Sequence, residues 1–174
     1  MVQFCSTPRT EREDDMSDAL EIVQYAFMEA MRAGYAKSEP RDTIDDFPCS
    51  KVFSFDMGMY RVIDFYLANP DSDKSTGQTT VWLKGAPVWT MHYGGRYAKI
   101  AIPFLKECLT RAYVRERIFY GGRGPLFVRG ERFTYVNRVA RSSFADFEGE
   151  EHIFDLSENR VGNHWYRGMS LLKR

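Results

Sequence analysis

Apolar residues recur at Leu20, Val23, Phe27, Ala30 and Met31, the alternating three-and-four spacing of one helix face. Ala19, Ile22 and Ala26 widen the stripe. Ser17 stands where an N-cap oxygen would take up an unpaired backbone N–H, with Asp18 and Glu21 in the first turn to oppose the helix dipole. Gly34 is a natural stop. The pattern predicts a helix over 18–33. A second stripe, Phe104, Leu105, Cys108, Leu109 and Ala112, predicts another from near 102 to near 116, with Pro103 tolerated in its first turn.

Elsewhere the period is two. Residues 58–67 alternate imperfectly and predict a strand. TTVWL at 79–83 and VWTMHY at 88–93 flank Lys84-Gly85-Ala86-Pro87, which predicts a hairpin with a four-residue loop. Trp89, Met91 and Tyr93 share one face of its second strand; Val88, Thr90 and His92 share the other; Gly94-Gly95 is expected to end it. Segments 126–129, 132–140, 144–154 and 161–172 predict four further strands, with turns at Gly130-Glu131 and Glu158-Asn159. Residues 36–50 carry Pro40, Pro48 and several acids, and 69–78 are rich in turn formers; both read as loops. Strands in consecutive runs between helices indicate an antiparallel α+β domain. The expectation is a single domain over 17–174 behind a mobile tail, residues 1–16. It would be a curved antiparallel sheet of about six to seven strands with two helices packed on one face.

Composition narrows the function classes. A chain of 174 residues can bury a core without a disulfide or metal staple. Lys+Arg and Asp+Glu are both 24, which removes the bulk electrostatic reason for nucleic-acid or anionic-membrane binding. The three cysteines, Cys5, Cys49 and Cys108, form no C-x-x-C pair, so neither a disulfide framework nor a zinc site is indicated. The N-terminal residues lack a secretory pattern, and no apolar run is long enough to span a bilayer. The expectation is a cytoplasmic protein with no metal or cofactor and no direct nucleic-acid or membrane partner. The aromatic content, 15%, suits strands and also pocket walls.

The richest segment chemically is Phe144 to Phe154. As a strand it places Phe147, Gly149, Glu151 and Ile153 on one face, and Glu148, Glu150, His152 and Phe154 on the other. Glu151 is then a carboxylate on an apolar face, which must be paired, hydrogen-bonded or protonated. An ion pair with Arg123 or Arg96 would satisfy it; a ligand or an acid–base role would use it. Glu148, Glu150 and His152 have the chemistry of a metal site but read first as a solvated charge run. Gly121-Gly122-Arg123-Gly124-Pro125 lacks the lysine and following helix of a phosphate loop and reads as a tight turn that presents Arg123. Tyr135 and Asn137 share a strand face, as do His164 and Tyr166.

In order along the chain, Trp89-Thr-Met-His-Tyr-Gly-Gly95, Phe104-Leu-Lys-Glu-Cys-Leu109, Arg123-Gly-Pro125, Gly130 to Asn137 and Phe147-Glu-Gly-Glu-Glu-His-Ile153 resemble an uncharacterised prokaryotic domain family. Its members occur alone or fused behind helix-turn-helix regulators. The resemblance spans about 20–172 and implies no assigned activity. His92 stands where the family pattern has asparagine, and Gly168 stands alone where a glycine pair is usual.

Three functions follow as expectations. The first is a small-molecule-binding domain, with Trp89, Tyr93 and Tyr135 as walls and Glu151 and Arg123 fixing a polar ligand. The second is an enzyme using Glu151 as acid or base, aided by His92. The third is a protein-interaction or homodimerisation module using exposed aromatics or an edge strand.

Overall fold

Helix α1 (Glu11–Ala36) leads into five strands: β1 (Asp42–Ile44), β2 (Phe47–Met57), β3 (Tyr60–Ala68), β4 (Lys74–Leu83) and β5 (Ala86–Tyr97). A 3-10 turn (Lys99–Ala101), α2 (Ile102–Thr110) and a π-helical turn (Arg111–Glu116) follow. Four strands complete the chain: β6 (Phe127–Arg129), β7 (Phe133–Ser143), β8 (Asp146–Asp155) and β9 (Arg160–Ser170). The structure, a computed structural model, describes residues 11–36 and 41–173. The nine strands among the described residues form one sheet, in the order β1-β2-β3-β4-β5-β9-β8-β7-β6. It consists of two antiparallel meanders whose last strands, β5 and β9, pair from Trp89↔Ser170 to Tyr97↔Gly162.

The sheet therefore has nine strands, not the expected six to seven. The additions are β1 and β2, in and just beyond the segment read as a loop. Pro48 lies in the exposed first residues of β2, near the sheet edge, where a missing N–H costs no inner ladder bond. Beyond it Phe53, Phe55 and Met57 alternate onto the core, and Phe53 packs against Gly34 of α1. The hairpin loop is also shorter than expected. Lys84 and Gly85 alone make the turn, both with positive φ (50° and 85°), as a two-residue turn between right-twisted strands requires. Ala86 and Pro87 already belong to β5, with Pro87 at a bulge opposite Trp82.

Helix α1 begins at Glu11, so the expected cap Ser17 lies inside it. Of the expected tail, residues 1–10 lie outside the described residues. The second helix runs as predicted from Ile102 but widens into the π turn at Arg111. Phe27 of α1 packs on Trp89 and Phe104 of α2 on Phe133, which places both helices on the same sheet face. Trp89 is fully buried there, stacked on Phe144 (ring centroids 4.7 Å apart) and Phe147 (5.4 Å). Its indole N–H donates to the Phe144 carbonyl at 2.8 Å. Glycines make room for such rings: a Cβ on Gly168 would run into Phe147. No helix among the described residues is long and apolar enough to cross a membrane.

Candidate functional site

The alternation in β8 holds. Phe147, Gly149, Glu151 and Ile153 are all buried on the helix-covered face. The register places Glu151 opposite Asn137 of β7 and His164 of β9, and His164 opposite Gly95 of β5. Four strands and one turn thus converge on one carboxylate.

Glu151 is fully buried. Its Oε2 accepts a hydrogen bond from the Tyr97 hydroxyl at 2.7 Å and lies 3.3 Å from the Arg123 guanidinium. The other oxygen, Oε1, is buried with no hydrogen-bond partner. The hydroxyl of Tyr135, fully buried two residues before Asn137 on the same strand face, likewise makes no hydrogen bond of good geometry, though Glu151 lies near enough to act on it as a hydrogen-bonding neighbour. Burial, then the neighbouring Glu151 charge, pushes the Tyr135 phenol well above the usual tyrosine range. It is a neutral hydroxyl at physiological pH.

Arg123 is also 2.6 Å from Nδ1 of His164. A guanidinium can only donate, so Nδ1 accepts and the ring proton of the neutral imidazole sits on Nε2. Burial, reinforced by the Arg123 charge, pulls the His164 pKa down to about 2. Tyr97 stacks on the His164 ring (5.1 Å), and the Arg123 guanidinium lies 5.1 Å from the Tyr93 ring centroid. Tyr93 in turn donates to Asp64 of β3 at 2.6 Å, and Asp64 also accepts from Thr79 and pairs with Arg41. The polar network therefore crosses the sheet from β3 to β8.

The glycine-rich turn is shaped by the tyrosines beneath it. A Cβ on Gly122 would collide with Tyr166, and one on Gly124 with the Tyr135 hydroxyl. Asn137 clamps the turn: its Nδ2 donates to the Gly124 carbonyl at 2.9 Å, while its Oδ1 accepts from Tyr166 at 2.6 Å. Arg123 is thus flanked by two glycines packed on tyrosines, one of them fixed through its carbonyl.

Of the residues expected at the site, the structure brings together Glu151, Arg123, Tyr93 and Tyr135. Trp89 belongs instead to the aromatic core described above. His92 is exposed on the opposite sheet face, opposite Arg167, and does not accompany Glu151. Arg96 pairs with Asp73. His152 is buried on that opposite face with its Nε2 3.3 Å from the Glu150 carboxylate, and burial lowers its pKa. No group of three or more His, Cys, Asp or Glu among the described residues is placed to hold a metal ion.

Two residues of the site were not expected there. Tyr97 was missed because Gly94-Gly95 looked like a strand end; continuing the period from Trp89, Met91 and Tyr93 reaches it. His164 was seen to share a face with Tyr166, but its register against Glu151 is not visible without the pairing.

A cleft of about 350 Å³ lies between α2, the π turn and β6, and no residue of the Glu151 cluster lines it. Cys108 and Val128 line it. Val128 is the register partner of Tyr135, and the charge of Glu151 acts on Cys108. Burial, with help from Glu107 and Glu151, pushes the Cys108 thiol up to about 12. The thiolate is the reactive form. Folded protein at pH 8 is therefore expected to alkylate with iodoacetamide at exposed Cys49 and not at Cys108, which reacts only after denaturation. Peptide mass spectrometry reads both; rapid native labelling of Cys108 would contradict the placement.

His164 gives the fold an acid limit. The unfolded chain binds a proton at this residue below about pH 6.5, and the folded chain does not until about pH 2. Its folded pKa is depressed, so the unfolded state gains protons first and stability falls as pH drops. The loss is ~1.4 kcal/mol per pH unit once the unfolded imidazole is charged. Denaturant midpoints at pH 7, 6 and 5 should therefore decline more steeply in the wild type than in His164→Gln.

No curated protein and no solved structure matches the chain. A family model matches residues 66–171, from the end of β3 through β9, and leaves α1, β1 and β2 outside. Tyr93, Tyr97, Arg123, Tyr135, Glu151 and His164 all fall inside that span, which is well over half of the chain. The chain thus belongs to the family described as a domain of unknown function, DUF5680.

Proposed function

We propose that the domain binds a small polar ligand between the sheet and α2, with Glu151 and Tyr135 as the polar end of its pocket. The observation that carries this reading is that Glu151 Oε1 and Tyr135 Oη are both fully buried and neither makes a hydrogen bond of good geometry, although the two side chains lie close enough to act on one another. An unsatisfied buried polar group costs about 1–3 kcal/mol, more when charged. Two of them in one network mark a place where a further hydrogen-bonding group belongs. The carboxylate oxygen accepts, and the neutral phenol can donate. A single group that both donates and accepts, such as a hydroxyl, satisfies both at once.

Arg123 and neutral His164 keep the carboxylate fixed and compensated, while Tyr93 and Tyr97 supply flat walls. A ligand would enter from the cleft lined by Cys108 and Val128, past which Glu151 and Tyr135 lie fully enclosed. The test is a thermal-shift series of the full chain against polyols, sugars and hydroxy acids. A ligand that binds only the folded state raises stability by about 2.7 kcal/mol at a hundredfold excess over its Kd. The expected result is a shift with a hydroxylated compound that disappears in Glu151→Gln and in Tyr135→Phe. Equal shifts in both variants would place the binding elsewhere. No shift with any compound would favour an interaction module with Glu151 as an internal ion-pair residue.

A further inference from the structure

The outer part of the same cleft carries charge that the Glu151 cluster does not use. Arg111 and Arg115 come from the end of α2 and the π turn, and Arg129 comes from edge strand β6. Arg111 is committed to Glu116 at 2.6 Å, and Glu116 also accepts from the Tyr120 hydroxyl at 2.7 Å. Arg115 and Arg129 have no ion-pair partner among the described residues. Two arginines from different elements, neither ion-paired among the described residues, therefore border one concavity. Glu107 is the one lining acid outside the Arg111–Glu116 pair.

We infer that this cleft is a subsite for an oxyanion, a carboxylate or phosphate group, gripped between Arg115 and Arg129. A guanidinium offers paired N–H donors matched to such a group, and charge-assisted bonds of this kind are the stronger ones. A cleft wall excludes part of the water that would otherwise screen the charge. The π turn fits the assignment, since π-helical turns recur at functional sites. The inference rests on the reading that the cleft admits a ligand but not on what binds at Glu151. If both hold, the ligand is a small hydroxylated anion, with its charged end at the cleft mouth and its hydroxyl inside.

The experiment uses the full chain with inorganic phosphate and citrate as separate probes, followed through the arginine side-chain N–H signals by NMR. Arg115→Gln and Arg129→Gln assign the two signals and also form the double variant. Both residues are exposed, so circular dichroism and Tm without anion should match the wild type. The expected result is a saturable shift of the Arg115 and Arg129 signals with at least one probe, and affinity at least about tenfold weaker in the double variant. Saturation by phosphate alone or citrate alone would support the subsite and name its anion. Glu151→Gln should leave this binding intact, which separates its failure from failure of the inner site. A linear drift of all arginine signals alike, matched by chloride at equal ionic strength, would overturn the inference. So would a double variant that binds as the wild type does.

Discussion

Replacing Arg123 by methionine is expected to destabilise the fold by about 3–5 kcal/mol, because it leaves Glu151 as a buried charge with its cation gone. The carboxylate is fully enclosed and would keep only the Tyr97 hydroxyl from the pair now holding its Oε2. The guanidinium also supports Nδ1 of His164 and lies against Tyr93, so three groups lose a neighbour together. Such residues do not behave additively. The double variant Arg123→Met with Glu151→Gln removes the uncompensated charge as well, and it should recover a substantial part of the loss. Chemical denaturation of the wild type, both single variants and the double variant gives the coupling directly. An Arg123→Met protein as stable as the wild type would mean that Glu151 is not held as an ionised partner of Arg123.

Trp89→Ala is the second large effect, a loss of at least about 3–5 kcal/mol. The indole is fully buried and stacks on Phe144 and Phe147, with Phe27 of α1 on it as well. Its removal leaves a cavity at the contact between α1 and the sheet. It also strips the Phe144 carbonyl of its donor. Trp89→Phe keeps part of the packing and should lose less. Equilibrium unfolding in urea distinguishes the two, and a mild effect for Trp89→Ala would contradict its place at the centre of the core.

Much of this architecture is legible in the sequence because the hydrophobic period is strict where one face is buried. The β8 segment declares Glu151 as an inward carboxylate by alternation alone. The stripe from Leu20 to Met31 declares the inner face of α1. The β2 strand is hard to see in the sequence because its exposed, proline-bearing start resembles a loop, and the inward alternation of Phe53, Phe55 and Met57 begins only after it. Arg123 could be named as a partner from chemistry, since the turn around it offered few other uses. The contribution of His164 and Tyr97 depended on which strands are neighbours. The pairing of β5 with β9 joins residues about seventy positions apart, and no local pattern encodes it. The orphaned oxygens of Glu151 and Tyr135 are likewise a property of packing and have no sequence signature.

The central claim is that Tyr135 and Glu151 each hold a hydrogen-bonding atom in reserve for a ligand. The most direct measurement is the unfolding free energy of Tyr135→Phe without ligand. A hydroxyl whose approach to Glu151 falls short of a well-formed hydrogen bond adds little to the ligand-free fold, so its removal should cost well under about 1 kcal/mol or raise stability. A loss of about 1–3 kcal/mol would show that the hydroxyl is already bonded within the protein, and would contradict the account.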